Sequence, residues 1–95
     1  MAFIRIFRPP NVTAEIYDSV NEAADVDASP PAGLLFHCAG EVDGAWQIVD
    51  VWESHEHAER FDQGRLGPAI EEVMGMRPPA PPASTGYELH KVIKP

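Results

Sequence analysis

The sequence contains little of what several classes of protein require. Of its 95 residues one is a cysteine, and seven Lys or Arg stand against fifteen Asp or Glu, for a formal net charge of −8. A single cysteine cannot form an internal disulfide, so the cytoplasm is the expected compartment. An acidic chain with so few cations is poorly suited to bind nucleic acid or an anionic membrane surface.

Long apolar runs and cofactor motifs are also missing. No apolar stretch approaches the ~20 residues that a transmembrane helix needs. The first residues, MAFIRIFRPP, lack the apolar centre of a signal peptide because Arg5 and Arg8 interrupt it. The sequence has no P-loop, no G-x-G-x-x-G fingerprint, no C-x-x-C pair and no H-E-x-x-H motif. We therefore expect no cofactor and no metal site.

What is present is the length and composition of one globular domain. The 44% share of hydrophobic residues is typical of a chain that buries a core, and 95 residues allow one domain of modest size, residues 1–95. Within it the segment Gly44–Phe61 gives the clearest signal. Ala45–Trp52 is rich in β-branched and aromatic residues, which predicts a strand, and neither alternating set is polar enough to face water throughout. Ser54 is a good N-cap for a helix that follows at once.

The remaining elements follow from the same rules. The patterns predict strands at Ala2–Phe7, Leu34–Gly40 and Gly86–Ile93, and a helix from Ala14 to about Ala24. Thr13 is the expected N-cap of that helix, and Tyr17 occupies the N4 position of a hydrophobic staple. The loops are Asp25–Gly33 and Arg77–Ser84, and the Asp-Gly pair before Ala45 predicts a hairpin turn. Gly64, Gly67 and Pro68 predict a break in the second helix, followed by a short second helical piece with Pro68 near its first turn.

The order of these elements is strand, helix, strand, strand, helix, strand. This is the ferredoxin-like arrangement of the α+β class, a four-stranded antiparallel sheet with both helices on one face. The strands carry apolar residues on both sides, so the face without helices also needs a cover. A second copy of the chain, packed sheet to sheet, is the preferred cover, and a ligand or a partner protein is the alternative.

Three segments carry a resemblance to a known family. They are HCAGEVDGAWQIVDVWESHEHAERF, RLGPAIEEV and YELHKV, separated by a proline-rich loop. Together they resemble the dimeric α/β-barrel superfamily, and within it the antibiotic biosynthesis monooxygenase (ABM)-like domain. The resemblance implies the fold and leaves the activity open, because the superfamily includes cofactor-free oxygenases, heme-degrading enzymes, and isomerase-like and lyase-like members. Its heme-degrading enzymes use an asparagine in the first strand, and Ala2–Phe7 has none.

Two histidines and one aspartate are the candidates for acid–base chemistry. His37 lies mid-strand among apolar neighbours, where an imidazole can act as a base or pack in a core or interface. Asp50 is an isolated carboxylate in its strand and needs a partner if buried. The hairpin allows His37, and Arg5 is an equal alternative, because the register is not fixed by the sequence. His90, in the last predicted strand, either faces the same cavity or is an ordinary half-exposed histidine.

Aromatic side chains are the candidates for binding an aromatic substrate. Trp46, Phe36 and Phe61 are predicted to line an apolar pocket, or alternatively to fill a packed core. Trp52, beside the helix cap, is assigned to structure. His55 and His57 stand two apart, so on a helix they point to different sides and predict no metal site. Cys38, on the strand face opposite His37, is expected to be a small buried apolar residue.

Two functions of different classes remain open. In the first, a small aromatic or polyketide-like molecule loses a proton to His37. The resulting anion then reduces oxygen, as in a cofactor-independent monooxygenase, or reprotonates elsewhere, as in an isomerase. In the second, the protein is a non-catalytic homodimeric ligand-binding or stress-type module, and its histidines are interface residues. A cavity of ~300 Å³ or more lined by His37 favours the enzyme. A core packed by the three aromatic candidates favours the module.

Overall fold

A four-stranded antiparallel sheet forms the centre of the fold. The computed structural model describes residues 2–76 and 84–95. Its elements are β1 Phe3–Phe7, α1 Ala14–Ala24, β2 Leu34–Val42, β3 Ala45–Trp52, α2 His55–Phe61, a π-helical segment Asp62–Leu66, α3 Gly67–Met74 and β4 Ser84–Glu88. The strands lie in the order β2-β3-β1-β4, and each neighbouring pair is antiparallel. The predicted ferredoxin-like arrangement is confirmed.

The helix starts and the central hairpin follow local chemistry. Thr13 Oγ1 accepts from the Ile16 amide at 3.2 Å, and Ser54 Oγ accepts from the His57 amide at 3.3 Å, as the capping patterns predict. The β2–β3 turn is Asp43-Gly44, with φ values of 51° and 80°. Two left-handed residues give the tight turn that matches the twist of a hairpin.

Of two predictions about the second half of the chain, one is confirmed in part and one was wrong. The second α-helix ends at Phe61 and a second helical piece, α3, follows with Pro68 in its first turn, but a π-helical segment joins the two without a gap. Pro68 lies in the first turn of α3, where a missing amide hydrogen removes no intrahelical bond. The last strand ends at Glu88 rather than Ile93, because its partner β1 begins at Phe3, opposite Glu88. The predicted loop at 77–83 lies outside the described residues.

The core lies between the helices and one face of the sheet. The register places the side chains of Trp52, Asp50 and Ile48 on this face, and all three are buried. Trp52 is 1% exposed and packs against Phe61, with ring centroids 5.4 Å apart. Small residues let the helices approach closely, since Ala58 is fully buried. No helix within residues 2–76 and 84–95 is long and apolar enough to cross a membrane.

The opposite face of the sheet, called the open face below, has no helix over it. Phe36 and Tyr87 are 59% and 51% exposed there. Cys38 is also exposed, so the expectation of a buried cysteine was wrong, because this face is uncovered in the single chain. The strand residues of the open face are uncharged: Ile4, Ile6, Phe36, Cys38, Gly40, Val42, Ala45, Gln47, Val49, Val51, Thr85 and Tyr87.

Candidate active site

The strand register brings His37 and Asp50 together. They lie directly opposite each other on β2 and β3, and His37 Nδ1 is 2.5 Å from Asp50 Oδ1. Arg5 lies opposite Asp50 on the other side, on β1, and its guanidinium donates to Asp50 Oδ2 at 3.1 Å. The two pairings that the sequence left as alternatives therefore form at the same time. Asp50 is 3% exposed, so its negative charge is held by these two neighbours.

Arg5 extends the cluster into the helical layer. Its second terminal nitrogen donates to Asp62 Oδ2 at 2.5 Å, and Asp62 is the first residue of the π-helical segment. Burial acts to lower the pKa of Arg5, but hydrogen bonds and charge attraction from Asp62 and Asp50 outweigh it and raise the pKa. The guanidinium is thus a permanent cation between two carboxylates, one on the sheet and one on the helix.

Tyr17 is the site residue that sequence reasoning missed. Its hydroxyl contacts His37 Nε2, and the two rings lie nearly parallel, with an interplanar angle of 5°. Burial is the main cause that raises the pKa of Tyr17, and the charges of Asp50, Asp18 and Asp27 add to it. The available signal was its place on the apolar stripe of α1, which faces the sheet. The sequence pattern assigned Tyr17 only to a hydrophobic staple, which is a packing role.

The five side chains form one hydrogen-bonded chain, called the relay below: Tyr17, His37, Asp50, Arg5 and Asp62. The chemistry of the partners sets the proton positions. An ionised carboxylate can only accept, so His37 Nδ1 carries the proton donated to Asp50. His37 Nε2 is then an acceptor, and the Tyr17 hydroxyl donates to it. With a neutral imidazole the relay carries one positive and two negative charges, so a proton added to His37 makes it neutral overall.

Of the predicted substrate residues, Trp46 packs against the relay. Its ring contacts Tyr17 with centroids 5.4 Å apart and an angle of 47°. Its indole N–H is buried and has no hydrogen-bond partner among the described residues. Phe61 lies against Trp52 in the core. The prediction for Phe36 was wrong, because it lies on the open face, away from His37 across the sheet.

The remaining histidines lie apart from the relay. His90 is exposed beyond the end of β4, so the prediction of a strand residue facing the cavity was wrong. His55 pairs with Glu59 at 3.2 Å, and His57 Nδ1 lies 2.7 Å from Ser54 Oγ. Within the described part of the chain, no group of three or more His, Cys, Asp or Glu is placed to hold a metal ion.

A cavity of about 380 Å³ lies at the C-terminal half of α1 and the turn that follows. It exceeds the ~300 Å³ that a small-molecule site needs, but its lining comes from the helix rather than from His37. Two of its residues, Asp18 and Asp27, raise the pKa of Tyr17, and Asn21 acts against that shift. Asn21 is therefore a neighbour that the cavity shares with Tyr17. Its lining is Asp18, Asn21, Glu22, Asp25, Asp27 and Ala28.

Comparison with known proteins finds similarity at the level of structure. One similar structure is a protein from Chloroflexus aurantiacus J-10-fl, provisionally described as an antibiotic biosynthesis monooxygenase (TM-score 0.66, 15% identity, 99% of this chain and 98% of that one). A second is a point mutant of SnoaB from Streptomyces nogalater, a cofactor-independent oxygenase. Its TM-score is 0.58 at 16% identity, and the match covers 97% of this chain and 94% of that one. A third is the heme-degrading protein Rv3592 from Mycobacterium tuberculosis. Its TM-score is 0.59 at 17% identity, and the match covers 99% of this chain and 100% of that one. No protein-family model and no curated protein matches the sequence.

These similarities show the fold and leave the chemistry to the site. The chain has the same α+β fold as these structures. The asparagine expected of a heme-degrading member is missing from β1. Asn11 lies in the exposed turn after it, with φ 58°. The residues present therefore do not match that heme-degrading pattern.

Proposed function

We propose that the protein is a cofactor-independent monooxygenase that acts on a small phenol of aromatic or polyketide-like structure. The observation that carries the proposal is the His37–Asp50 pair, opposed in the sheet at 2.5 Å and fixed from behind by Arg5. A carboxylate that holds Nδ1–H fixes the tautomer and orientation of an imidazole, and stabilises the imidazolium that forms when Nε2 takes a proton. SnoaB, described as a cofactor-independent oxygenase, shares the fold.

The proposed reaction begins with the loss of the phenol proton. The proton passes to His37 Nε2, and the phenolate that remains is electron-rich enough to reduce dioxygen. One oxygen atom forms a C=O bond at the ring carbon para to the phenol, in place of its C–H bond. The other leaves as water, so phenol and O₂ give quinone and H₂O. Removing a proton at the start is the step that the site assists, by the ~10²- to 10⁴-fold typical of a positioned base.

Oxygen uptake with 1-naphthol as the probe tests this proposal. We expect the wild type to consume one O₂ for each 1,4-naphthoquinone formed, read by an oxygen electrode and by the quinone absorbance. His37→Gln should lower the rate at least ~100-fold, because glutamine cannot accept the proton. His55→Gln, on the exposed start of α2 and paired with Glu59, is the matched control and should keep the wild-type rate. A wild-type protein that gives no quinone above buffer from 1-naphthol or related phenols contradicts the proposal.

A second candidate function is the non-catalytic binding module. The observation that favours it is the cavity of about 380 Å³, which is lined by α1 and the following turn and not by His37. In that case the relay stabilises the fold, and the cavity binds a small polar molecule. Binding of 1-naphthol without oxygen uptake, together with a His37→Gln variant that loses only stability, supports this reading over the enzyme.

We further propose that the protein acts as a homodimer in the cytoplasm, with the open faces of two copies in contact. The strand residues of that face are uncharged, although the chain carries −8, and Phe36 is 59% exposed on it. Two anionic chains repel each other least through such a surface, and a two-fold axis makes it self-complementary. Arg8, just past β1, donates to Gln47 at 2.9 Å at the rim. The exposed free Cys38 favours a reducing compartment.

A further inference from the structure

We infer that Tyr17 is the catalytic residue that faces the substrate, and that it passes the substrate proton to His37. This inference rests on the proposed function, and it makes Tyr17 rather than His37 the residue that contacts the substrate phenol. Nε2, the only nitrogen of His37 able to accept a proton, is occupied by the Tyr17 hydroxyl. Nδ1 is occupied by Asp50. A substrate can therefore reach the imidazole only by displacing Tyr17 or by acting through it.

The Tyr17 hydroxyl has the capacity for that second route. A phenol oxygen has one proton to donate and two lone pairs to accept with. Donating to His37 leaves the lone pairs free for a substrate O–H and for the nearby Asn21, which opposes the raised pKa of Tyr17. Asn21 also lines the cavity of about 380 Å³, so the cavity and the Tyr17 hydroxyl share this neighbour.

The proton transfer is balanced within the relay. The substrate O–H bond breaks as its proton bonds to Tyr17 Oη, while the proton that Tyr17 held moves to His37 Nε2. The products are a substrate phenolate, an unchanged Tyr17 and an imidazolium. Asp50, 2.5 Å away, faces the new cation, and the relay becomes neutral overall. Tyr17 need not ionise at rest, which agrees with a buried phenol whose pKa is raised.

Ring contacts hold the Tyr17 side chain in this position independently of its hydroxyl. Trp46 contacts the Tyr17 ring on one side, and the His37 ring lies nearly parallel to it. Tyr17→Phe therefore removes the hydroxyl and keeps the ring contacts. Tyr87→Phe makes the same chemical change at an exposed tyrosine on the open face and is the matched control. Both variants keep the ring, so neither opens a cavity.

The first test uses 4-nitrophenol, because its phenolate is coloured and proton transfer can be read without turnover. Below the pH at which free nitrophenol ionises, the wild type and Tyr87→Phe should bind it and turn it into the coloured phenolate. Tyr17→Phe should bind it with a Kd within about threefold but leave it protonated, and should oxidise 1-naphthol at least ~100-fold more slowly. A Tyr17→Phe variant that still ionises nitrophenol and oxidises 1-naphthol at the wild-type rate overturns the inference.

The second test separates proton transfer through Tyr17 from a role in holding His37. Replacing Tyr17 by 3,5-difluorotyrosine keeps the hydroxyl and makes it more acidic. If the proton passes through this oxygen, the alkaline limb of the rate profile moves to lower pH, because the ionised phenol has no proton to give His37. The same replacement at Tyr87 should leave the profile in place. An unchanged profile with difluorotyrosine at position 17 makes Tyr17 a positioning residue and overturns the inference.

The outcomes also separate this inference from the proposed function. A wild type that ionises bound nitrophenol through Tyr17 but consumes no oxygen with 1-naphthol supports the shuttle and contradicts the monooxygenase. Oxidation of 1-naphthol that needs His37 but not Tyr17 supports the monooxygenase and contradicts the shuttle. A wild type that binds nitrophenol and leaves it protonated contradicts the shuttle as well.

Discussion

At the scale of single residues, the ionisation of Tyr17 makes the fold less stable at alkaline pH. Burial, with the charges of Asp50 and two further aspartates, raises its folded-state pKa above the ordinary value of about 10. The stabilisation is complete below pH ~10 and is lost as the pH rises through the folded-state pKa, because the unfolded chain releases this proton first. We therefore expect the free energy of unfolding to fall above pH ~10, and to fall less in Tyr17→Phe.

Urea unfolding at several pH values measures this effect. The other groups that ionise at alkaline pH are common to the wild type and Tyr17→Phe, so the comparison of these two proteins isolates Tyr17. Tyr87→Phe should retain the wild-type decline. If the free energy of unfolding falls equally with pH in Tyr17→Phe and in the wild type above pH ~10, Tyr17 has the same pKa in the folded and unfolded chains and the prediction is wrong.

Arg5 is the second residue whose removal has a sharp consequence. Arg5→Met fills a similar volume but leaves Asp50, 3% exposed, and Asp62 without their common cation. Removing one partner of a buried ion pair costs about 3–5 kcal/mol, since the remaining charge stays buried. Arg60→Met breaks only an exposed pair with Glu56 at 3.8 Å and should cost under about 1 kcal/mol. Denaturant unfolding at pH 7 gives both values, and a loss below about 1 kcal/mol for Arg5→Met contradicts the prediction.

At the scale of elements, Arg65 joins the π-helical segment to the end of α1. Its guanidinium donates to the Ala24 carbonyl at 2.6 and 3.1 Å, and to those of Asp25 and Ser29 at 2.9 and 2.7 Å. Ala24 is the last residue of α1, where carbonyl groups have no donor within the helix, and Asp25 and Ser29 belong to the turn that follows. Lysine has one nitrogen and cannot reproduce this fork.

Arg65→Lys should therefore destabilise the end of α1. We expect a loss of about 1.5–3 kcal/mol, the range for hydrogen bonds to a charged group. Faster amide exchange should appear in the last turn of α1 and in residues 25–29. Arg60→Lys, on the exposed side of α2, is the control and should leave both measurements unchanged. Exchange that rises evenly over the whole chain, or not at all, is the result that argues against this connection.

The contact between β1 and β4 depends on Gly86. A Cβ added there would lie 2.6 Å from the end of the Phe3 ring and 3.4 Å from the Ile4 carbonyl oxygen. Gly86→Ala should move the Phe3 ring, which packs on His55, and cost about 1–3 kcal/mol. Gly40→Ala, in β2, meets no atom within 4 Å and should change stability by less than about 0.5 kcal/mol. Similar unfolding free energies for the two variants would contradict the prediction.

Elements defined by their own sequence could be predicted, and those defined by a partner could not. The bounds of α1 and β3 are as the sequence indicates, because caps, turns and alternation are local signals. The end of β4 is set by the start of its partner β1. The π-helical segment is set by the connection that the chain makes from α2 to α3. Neither constraint is visible in a pattern of a few residues.

The candidate site follows the same division. Residue type alone identified His37 and Asp50, because a histidine and a carboxylate are unusual in apolar strands. Their contact required the register, which a shift of one residue would reverse. Tyr17 was missed because its role depends on how α1 docks over β2, and a tyrosine on an apolar helix face looks like packing.

At the scale of the whole molecule, charge and exposure are distributed unevenly. The chain carries −8, yet the strand residues of the open face are uncharged. A surface of this kind is suited to contact with another copy, and salt should strengthen that contact. Added salt shortens the distance over which the two anionic copies repel, from about 30 Å at 0.01 M to about 10 Å at 0.1 M.

Sedimentation at micromolar concentration tests the homodimer. We expect the wild type to sediment as a dimer whose Kd falls as salt is raised. Phe36→Asp should give a folded monomer, because it places a charge on the open face, whose strand residues are otherwise uncharged. Met74→Asp, at a 49% exposed position on α3, is the matched control and should remain dimeric. A wild-type monomer would rule out the homodimer, and an equal effect of both substitutions would place the contact somewhere other than the open face.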